Sequence, residues 1–214
     1  MTLWLVKCLV VAGGLGAWFV TQAWLAKRPL AGGGLQDRVH DATAHLNRWL
    51  HDHPRCANAL LIGTSALIDI VGLWLLLSAL FGPSFGPFLG LLMLFALRQV
   101  CQGLCALPPP PGMIWRSPGF PTALVTYGTS TDLFFSGHTA LAVYGGLELA
   151  HQFGGWGIAA GVAFVTIEVA TVLVLRAHYT LDVIAGAFAA LWVWSAARSL
   201  APPVDALLAS LVRA

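Results

Sequence analysis

Long apolar runs separated by short polar stretches make up most of the chain. A helix needs about 20 mostly apolar residues to cross the hydrocarbon core of a bilayer. Six stretches meet this requirement, at roughly residues 3 to 25, 58 to 81, 87 to 107, 134 to 153, 156 to 176 and 179 to 200. The pattern predicts an all-α integral membrane protein, folded as a six-transmembrane helix bundle that forms a single membrane domain over residues 1 to 214.

Two gaps between these stretches are short, uncharged and rich in glycine. Gly82 to Gly86 separates the second stretch from the third, and Gly154 with Gly155 separates the fourth from the fifth. Such gaps predict tight turns between neighbouring helices at one membrane face. The longer connections then lie at the opposite face. The first stretch is interpreted as a retained span rather than a cleaved signal peptide.

The connection from Lys27 to Asn58 has the periodicity of an amphipathic helix. The apolar residues that share one face are Val39, Ala42, Leu46, Trp49 and Leu50. The polar residues that share the other face are Arg38, Asp41, His45 and Arg48. We therefore expect an amphipathic surface helix between the first and second spans.

Composition supports a membrane location and excludes two other classes. With 58% hydrophobic and 9% charged residues, the chain is too apolar for a soluble domain of 214 residues. The net charge of +2 comes from scattered Lys and Arg, so no electrostatic footprint for nucleic acid is present. The four cysteines (Cys8, Cys56, Cys101 and Cys105) lack CxxC spacing, which argues against a zinc site and a disulfide scaffold.

No metal or cofactor is expected. His40, His45, His51 and His53 are close in sequence, but no Cys or Glu completes a ligand set, and histidines at a membrane interface need no metal. Any activity should therefore survive EDTA. Nothing in the pattern predicts an oligomeric state.

Charged residues inside the predicted spans indicate function by default, because burying a charge in a bilayer is costly. Arg98 interrupts the third span, and we expect it to have a functional role. The acids Asp69, Glu148 and Glu168 also lie within spans, where we expect structural pairing or a protonated, hydrogen-bonded state. A transporter or scaffold that uses these groups as a relay is an alternative.

Two motifs can carry chemistry at the ends of predicted spans. Ser136-Gly137-His138-Thr139 opens the fourth span, where Ser136 suits an N-cap, Gly137 lets a ligand approach, and free N–H groups attract an anion. His178 and Asp182 are one helical turn apart near the start of the sixth span. An aspartate that fixes the histidine tautomer leaves the other ring nitrogen free as a nucleophile or base. Because one hairpin separates the motifs, we expect them at the same membrane face.

Together these residues resemble the type 2 phosphatidic acid phosphatase superfamily of membrane lipid phosphatases and phosphotransferases. Within it, the chain is more similar to the sphingomyelin synthase family. Three stretches carry the resemblance: Arg98 to Met113, Asp132 to Thr139 and Ala177 to Val183. They cover the third span to the sixth, a little over half of the chain.

The resemblance implies transfer of a phosphocholine or phosphoethanolamine head group from a phospholipid donor to a lipid alcohol acceptor, such as ceramide or diacylglycerol. His178, held by Asp182, would form a phosphohistidine while His138 serves as general acid and then base. The residues that the resemblance assigns to substrate binding are Arg98, Asp132, Ser136, Gly137, Arg176 and Tyr179.

One departure from the superfamily favours transfer over dephosphorylation. The phosphatases carry an arginine six residues before the nucleophilic histidine, and this chain has Val172 there. A phosphomonoester carries nearly two negative charges and a phosphodiester one, so a site with fewer cations suits a diester. Arg176 could restore a cation, so a lipid phosphate phosphatase is the first alternative.

Two arguments about membrane orientation disagree. The superfamily pattern places the site outside the cytoplasm. The positive-inside rule indicates the reverse, because more basic residues lie on the face of the site than opposite. Those on the site's face are Lys27, Arg28, Arg38, Arg48 and Arg55, against Lys7, Arg198 and Arg213. We favour a multi-pass protein with an exoplasmic site, since the amphipathic segment can hold its basic residues against lipid head groups.

Overall fold

The computed structural model describes residues 3–27, 35–125, 127 and 133–213. Within these residues the fold contains helices and no strands. The helices are α1 (Leu3–Leu25), α2 (Arg38–Ala42), α3 (Ala44–Asp52), α4 (Pro54–Phe81), α5 (Gly86–Leu104), α6 (Gly137–Val174) and α7 (Thr180–Arg213). Five of them, all except α2 and α3, are long and apolar enough to cross a membrane. The predicted all-helical membrane class is confirmed, and the count of six spans is not.

The difference in count arises in α6, which contains two of the predicted stretches. Gly154 leaves the helical conformation, with φ +59° and ψ −133°. A Cβ built on Gly157 would lie 1.9 Å from the carbonyl oxygen of Leu149. In an unbroken helix these residues would be about 12 Å apart along the axis. The chain therefore reverses at Gly154, and both ends of α6 lie at the same end of the bundle.

The last helix extends beyond the predicted span, which ends near residue 200, and continues through Pro202 and Pro203 to Arg213. Proline inside a helix removes a hydrogen bond and costs about 3 kcal/mol. Two contacts beyond the prolines offset that cost. Asp205 accepts a hydrogen bond from the backbone N–H of Phe85 at 2.7 Å, and Leu208 is buried against α1 and α5. Neither contact can be predicted from the residues around the prolines, because the partners are distant in sequence.

A buried lysine joins α1 to the end of α4. The Lys7 ammonium donates to the carbonyl oxygens of Ala79 at 3.1 Å and Gly82 at 3.4 Å. The last carbonyls of a helix have no partner within the helix, and a cation there also suits the helix dipole. The main apolar core lies among α4, α5, α6 and α7, and its buried side chains include Ile68, Leu75, Leu94, Leu141, Tyr144 and Val193.

The predicted amphipathic segment forms two short helices, α2 and α3, that meet at Thr43. Leu46 and Trp49 of its predicted apolar face are exposed, which agrees with a surface position. The residues it buries against the protein include two polar ones, His40 and Asn47, both less than 5% exposed. Apolar periodicity cannot reveal this side of the segment, because its contacts are hydrogen bonds to distant main-chain groups.

Candidate functional site

The start of α6 and the start of α7 adjoin at one end of the bundle. The backbone N–H of Ser136 donates to the carbonyl oxygen of Asp182 at 3.0 Å. Gly186 in α7 allows this approach, because a Cβ there would lie 2.7 Å from the carbonyl oxygen of Ser136. The two motifs that sequence predicts at one membrane face are therefore side by side.

Ser136 is the N-cap of α6, as predicted. Its hydroxyl oxygen accepts a hydrogen bond from the backbone N–H of Thr139 at 3.3 Å. The residue is completely buried. Its side chain therefore holds the helix terminus, and a substrate would meet other groups of the first turn.

Arg98 extends from α5 to this helix terminus. Its Nε donates to the carbonyl oxygen of Phe135 at 2.9 Å, and the residue is 8% exposed. A Cβ on Gly137 would lie 3.1 Å from Arg98 Nε and 3.3 Å from its Cζ. The missing side chain of Gly137 thus makes room for the guanidinium, whereas the sequence interpretation reserved that space for a ligand. The result is a positive charge beside the first turn of α6.

His138 and His178 line the same small cavity, together with Arg98, Gly137 and Trp115. We call it the site cavity, and its volume is about 50 Å³. The Trp115 ring meets the His138 ring edge-on, with centroids 5.1 Å apart and an interplanar angle of 90°. Within the described residues, His138 Nε2 has no hydrogen-bond partner. A buried nitrogen without a partner is expensive unless a ligand or a proton transfer uses it.

His178 lies in the turn between α6 and α7, not on a helix with Asp182 as the spacing predicted. Its Nδ1 is 3.7 Å from Asp182 Oδ2, within range of an ion pair but too long for a hydrogen bond. Asp182 is the third residue of α7, and Oδ2 accepts from the backbone N–H of Tyr179 at 2.9 Å. This is the carboxylate half of a capping box. The cap fixes Asp182, and Asp182 in turn faces the imidazole.

The end of α6 turns the chain toward the site through a Schellman motif. Ala177 N–H donates to the carbonyl oxygen of Val172 at 2.9 Å, and Arg176 N–H to that of Leu173 at 3.1 Å. Arg176 has φ +53°, in the left-handed region that this position usually gives to glycine. A side chain in that region costs roughly 1 kcal/mol. Hydrogen bonds from the Arg176 side chain to two carbonyl oxygens offset this cost.

Two predicted substrate-binding residues, Arg176 and Tyr179, are not among the residues that line the site cavity. The Arg176 guanidinium donates to the carbonyl oxygens of Pro111 at 2.6 Å and His40 at 3.1 Å. The Tyr179 hydroxyl accepts from Leu35 N–H at 3.3 Å, and the ring is buried. The cation that could have restored a phosphatase site is thus bound to main-chain oxygens. Asp132 lies outside the described residues.

The prediction of hydrogen-bonded acids within the spans is confirmed for Asp69 and Glu168. Asp69 accepts from the backbone N–H groups of Ala123 and Leu124, both at 2.8 Å, and so holds the loop that lines the site cavity. Glu168 is fully buried and accepts a hydrogen bond from the Thr64 hydroxyl. These acids support the bundle around the site.

Sequence reasoning missed three residues that contact the segment around His178: Asp37, His40 and Asn47. Asp37 could have been recognised from the sequence, because an Asp directly before a helical pattern is a typical N-cap. Its side chain does accept a hydrogen bond from Val39 N–H at 2.9 Å. No sequence pattern could have identified His40 and Asn47, since each contacts residues more than a hundred positions away.

The chain matches the model of a known protein family. A family model described as AtPDCT1/2 matches residues 36–199, from just before α2 to within α7. The match covers more than half of the chain and includes every predicted site residue. The chain belongs to this family. AtPDCT1/2 is the phosphatidylcholine:diacylglycerol cholinephosphotransferase family. No curated protein and no solved structure compared with the chain matches it.

The match corrects the resemblance to sphingomyelin synthases, because AtPDCT1/2 is a different family. The physical reason is that the quoted motifs contain the groups for phosphoryl chemistry, which lipid phosphotransferases with different acceptors can share. Membership in AtPDCT1/2 makes the chain a membrane phosphotransferase that acts on lipids, and the phosphatase alternative has no support. The assignment of ceramide as an acceptor came with the corrected resemblance and is withdrawn.

Proposed function

We propose that the protein transfers phosphocholine from phosphatidylcholine to diacylglycerol through a phosphohistidine on His178. The observation that carries the proposal is the site cavity, where two buried histidines meet a buried arginine at the N-terminus of α6. This chemistry requires a nucleophile, a proton donor and a binding site for a phosphate oxygen. The family match supports the choice of head group and acceptor.

In the first step, His178 Nε2 attacks phosphorus, since Nδ1 is the nitrogen that faces Asp182. The bond between phosphorus and the diacylglycerol oxygen breaks, and protonated His138 gives its proton to that oxygen. Phosphocholine remains on His178, and diacylglycerol leaves. Asp182 stabilises the positive charge that develops on the His178 ring.

In the second step, a different diacylglycerol brings its hydroxyl to the phosphohistidine. His138, now neutral, takes the hydroxyl proton as the oxygen attacks phosphorus. The bond to His178 Nε2 breaks, and a new phosphatidylcholine leaves. The enzyme returns to its starting protonation state, and no metal or cofactor takes part in this scheme.

Charge in and around the cavity supports a phosphodiester substrate. Arg98 lies beside the helix terminus, where the guanidinium and free N–H groups favour an anion. Val172 occupies the position of the phosphatase arginine and is fully buried. Arg176 points its guanidinium at Pro111 and His40. Arg98 is the one arginine or lysine among the described residues that line the cavity, and a single guanidinium suits the single charge of a diester better than the double charge of a monoester.

The aromatic wall of the cavity suits a quaternary ammonium group. Trp115 lines the cavity, and the Tyr127 ring packs against it with centroids 4.8 Å apart. Cations bind to the faces of such rings, and Trp is the strongest of them. A cavity of about 50 Å³ holds one or two water molecules, so it has to widen to admit a head group.

The reversal at Gly154 supports six crossings, with α6 crossing the membrane twice. We keep the exoplasmic placement of the site as a proposal, and with six crossings it puts Gly155 on the cytoplasmic side. Single cysteines at Ser117 and Gly155, both exposed, test this in a background without the native cysteines. An impermeant thiol reagent added to intact cells should label position 117 alone. Label at position 155 alone would reverse the orientation, and label at both would contradict the double crossing.

The function itself is tested with two labelled lipids and purified protein in EDTA. The donor is phosphatidylcholine with a deuterated choline, and the acceptor is diacylglycerol with odd-numbered acyl chains. We expect mass spectrometry to find deuterated choline on odd-chain phosphatidylcholine. Ceramide and a phosphatidylethanolamine donor serve as parallel substrates. Free phosphocholine or free phosphate without the mixed phosphatidylcholine would contradict the proposal.

A further inference from the structure

Residues of α2 and α3, and Asp37 just before them, form hydrogen bonds to the main chain of the segment that carries His178. Asn47 Nδ2 donates to the carbonyl oxygen of Val174 at 2.9 Å, where α6 ends. His40 Nε2 is 3.0 Å from the carbonyl oxygen of His178 itself. A carbonyl can only accept, so His40 Nε2 carries the proton. We call the contacting residues the α2–α3 clamp; they are Asp37, His40 and Asn47.

His40 contacts the segment on both sides of His178. Its ring stacks on that of Tyr179, with centroids 5.8 Å apart and an interplanar angle of 26°. Its own carbonyl oxygen accepts from Arg176 Nη2 at 3.1 Å. The residue is 4% exposed, so these bonds form away from competing water. His40 therefore fixes the residues before and after His178 as well as His178.

Asp37 joins the start of α2 to the start of α7. Its carboxylate accepts from Thr180 N–H at 2.6 Å and from the Thr180 hydroxyl at 2.9 Å. The same carboxylate accepts from Val39 N–H and His40 N–H within α2. Burial alone would raise the Asp37 pKa, but these hydrogen bonds and nearby His40 hold it below its ordinary value. A charged carboxylate at two helix N-termini is favoured by both dipoles.

Main-chain placement matters here because little else orients the His178 ring. Within the described residues its Nδ1 has no hydrogen-bond partner, and the Asp182 carboxylate is 3.7 Å away. A misplacement of about 1 Å at a reacting group can cost roughly 100-fold in rate. None of the three clamp residues is among those that line the site cavity, so the clamp does not occupy the space proposed for substrate.

We propose that Asp37, His40 and Asn47 are positioning residues that hold His178 for attack on phosphorus. This rests on the proposed function, in which His178 is the nucleophile. The clamp acts on the main chain of residues 174 to 180, and it acts on the rate of transfer rather than on lipid binding. The segment that sequence predicts as one amphipathic surface helix thereby also positions the nucleophile.

The test compares His40→Ala with His40→Gln, because a glutamine amide can still donate to the His178 carbonyl. We expect His40→Ala to lower kcat by about 10- to 100-fold with KM unchanged, and His40→Gln to recover most of that loss. Thr180→Val, which removes one bond to Asp37 and keeps the side-chain shape, should give a smaller loss. His45→Ala is the matched control, since His45 is an exposed histidine of α3.

A second readout separates failure of the clamp from failure of the proposed function. Hydrogen–deuterium exchange of residues 175 to 180, measured on the whole protein in nanodiscs, should be faster in His40→Ala and normal in His45→Ala. If the wild-type protein transfers no head group, the proposed function fails, and exchange still reports whether the clamp orders the segment. Unchanged exchange, or an equal kcat loss in His40→Ala and His40→Gln, would overturn the positioning role.

Discussion

Replacing His178 by alanine is expected to abolish head-group transfer and the covalent intermediate together. The imidazole is the proposed nucleophile, and the other histidine of the site cavity, His138, has the proposed role of proton donor and acceptor. Removal of a catalytic nucleophile costs more than about 10⁴-fold in rate. Phosphatidylcholine labelled with ³²P should leave an acid-labile label on the wild-type protein and none on His178→Ala.

His45→Ala is the control for this variant, because it removes an exposed histidine and should leave both labelling and transfer intact. Asp182→Asn should retain slow labelling, since it keeps the shape of the side chain and loses only the charge that faces His178 Nδ1. Transfer by His178→Ala at a rate near that of the wild type would show that the phosphohistidine mechanism is wrong.

Replacing His138 by alanine is expected to slow transfer by about 10²- to 10⁴-fold, the usual contribution of a general acid or base. The effect should depend on the leaving group. Diacylglycerol leaves as a strongly basic alkoxide unless it is protonated, whereas p-nitrophenol leaves readily as an anion. We therefore expect His138→Ala to form little phosphoenzyme from phosphatidylcholine but near-normal amounts from p-nitrophenyl phosphocholine.

The comparison of the two donors distinguishes acid catalysis from a loss of packing. His138 contacts Trp115 and lies near Arg98, so alanine also removes side-chain contacts. His138→Gln restores much of the volume without a titrating nitrogen, and it should show the same donor dependence. An equal loss with both donors in both variants would mean that His138 supports the cavity without transferring a proton.

Much of the bundle could be predicted because helices that cross a membrane are defined locally. The first predicted stretch, residues 3 to 25, coincides with α1, and the second differs from α4 by only four residues at its start. Apolar length sets these elements, since the bilayer core has a fixed thickness. The Ser136 cap was predictable for a similar reason, because N-capping depends on one side chain and the next few backbone groups.

The features that sequence reasoning did not foresee have a common origin in contacts between distant residues. The helix α7 continues past the predicted span and beyond two prolines, where Asp205 and Leu208 contact α5 and α1. The contacts of Arg176 could not be foreseen either, because the main-chain oxygens that it binds are more than sixty residues away. The sphingomyelin synthase resemblance rested on short motifs, and the family match extends over residues 36–199.

The sequence by itself determined the apolar lengths of the helices, the cap at Ser136 and the presence of His138, His178 and Asp182 at helix ends. Each depends on residues within a few positions of one another, where periodicity and capping rules apply. Only the tertiary structure decided that Arg98 fills the space beside Gly137 and that His178 lies in a turn 3.7 Å from Asp182. It also decided that His40 holds the His178 carbonyl. These contacts depend on how separate helices pack, and no local pattern records that packing.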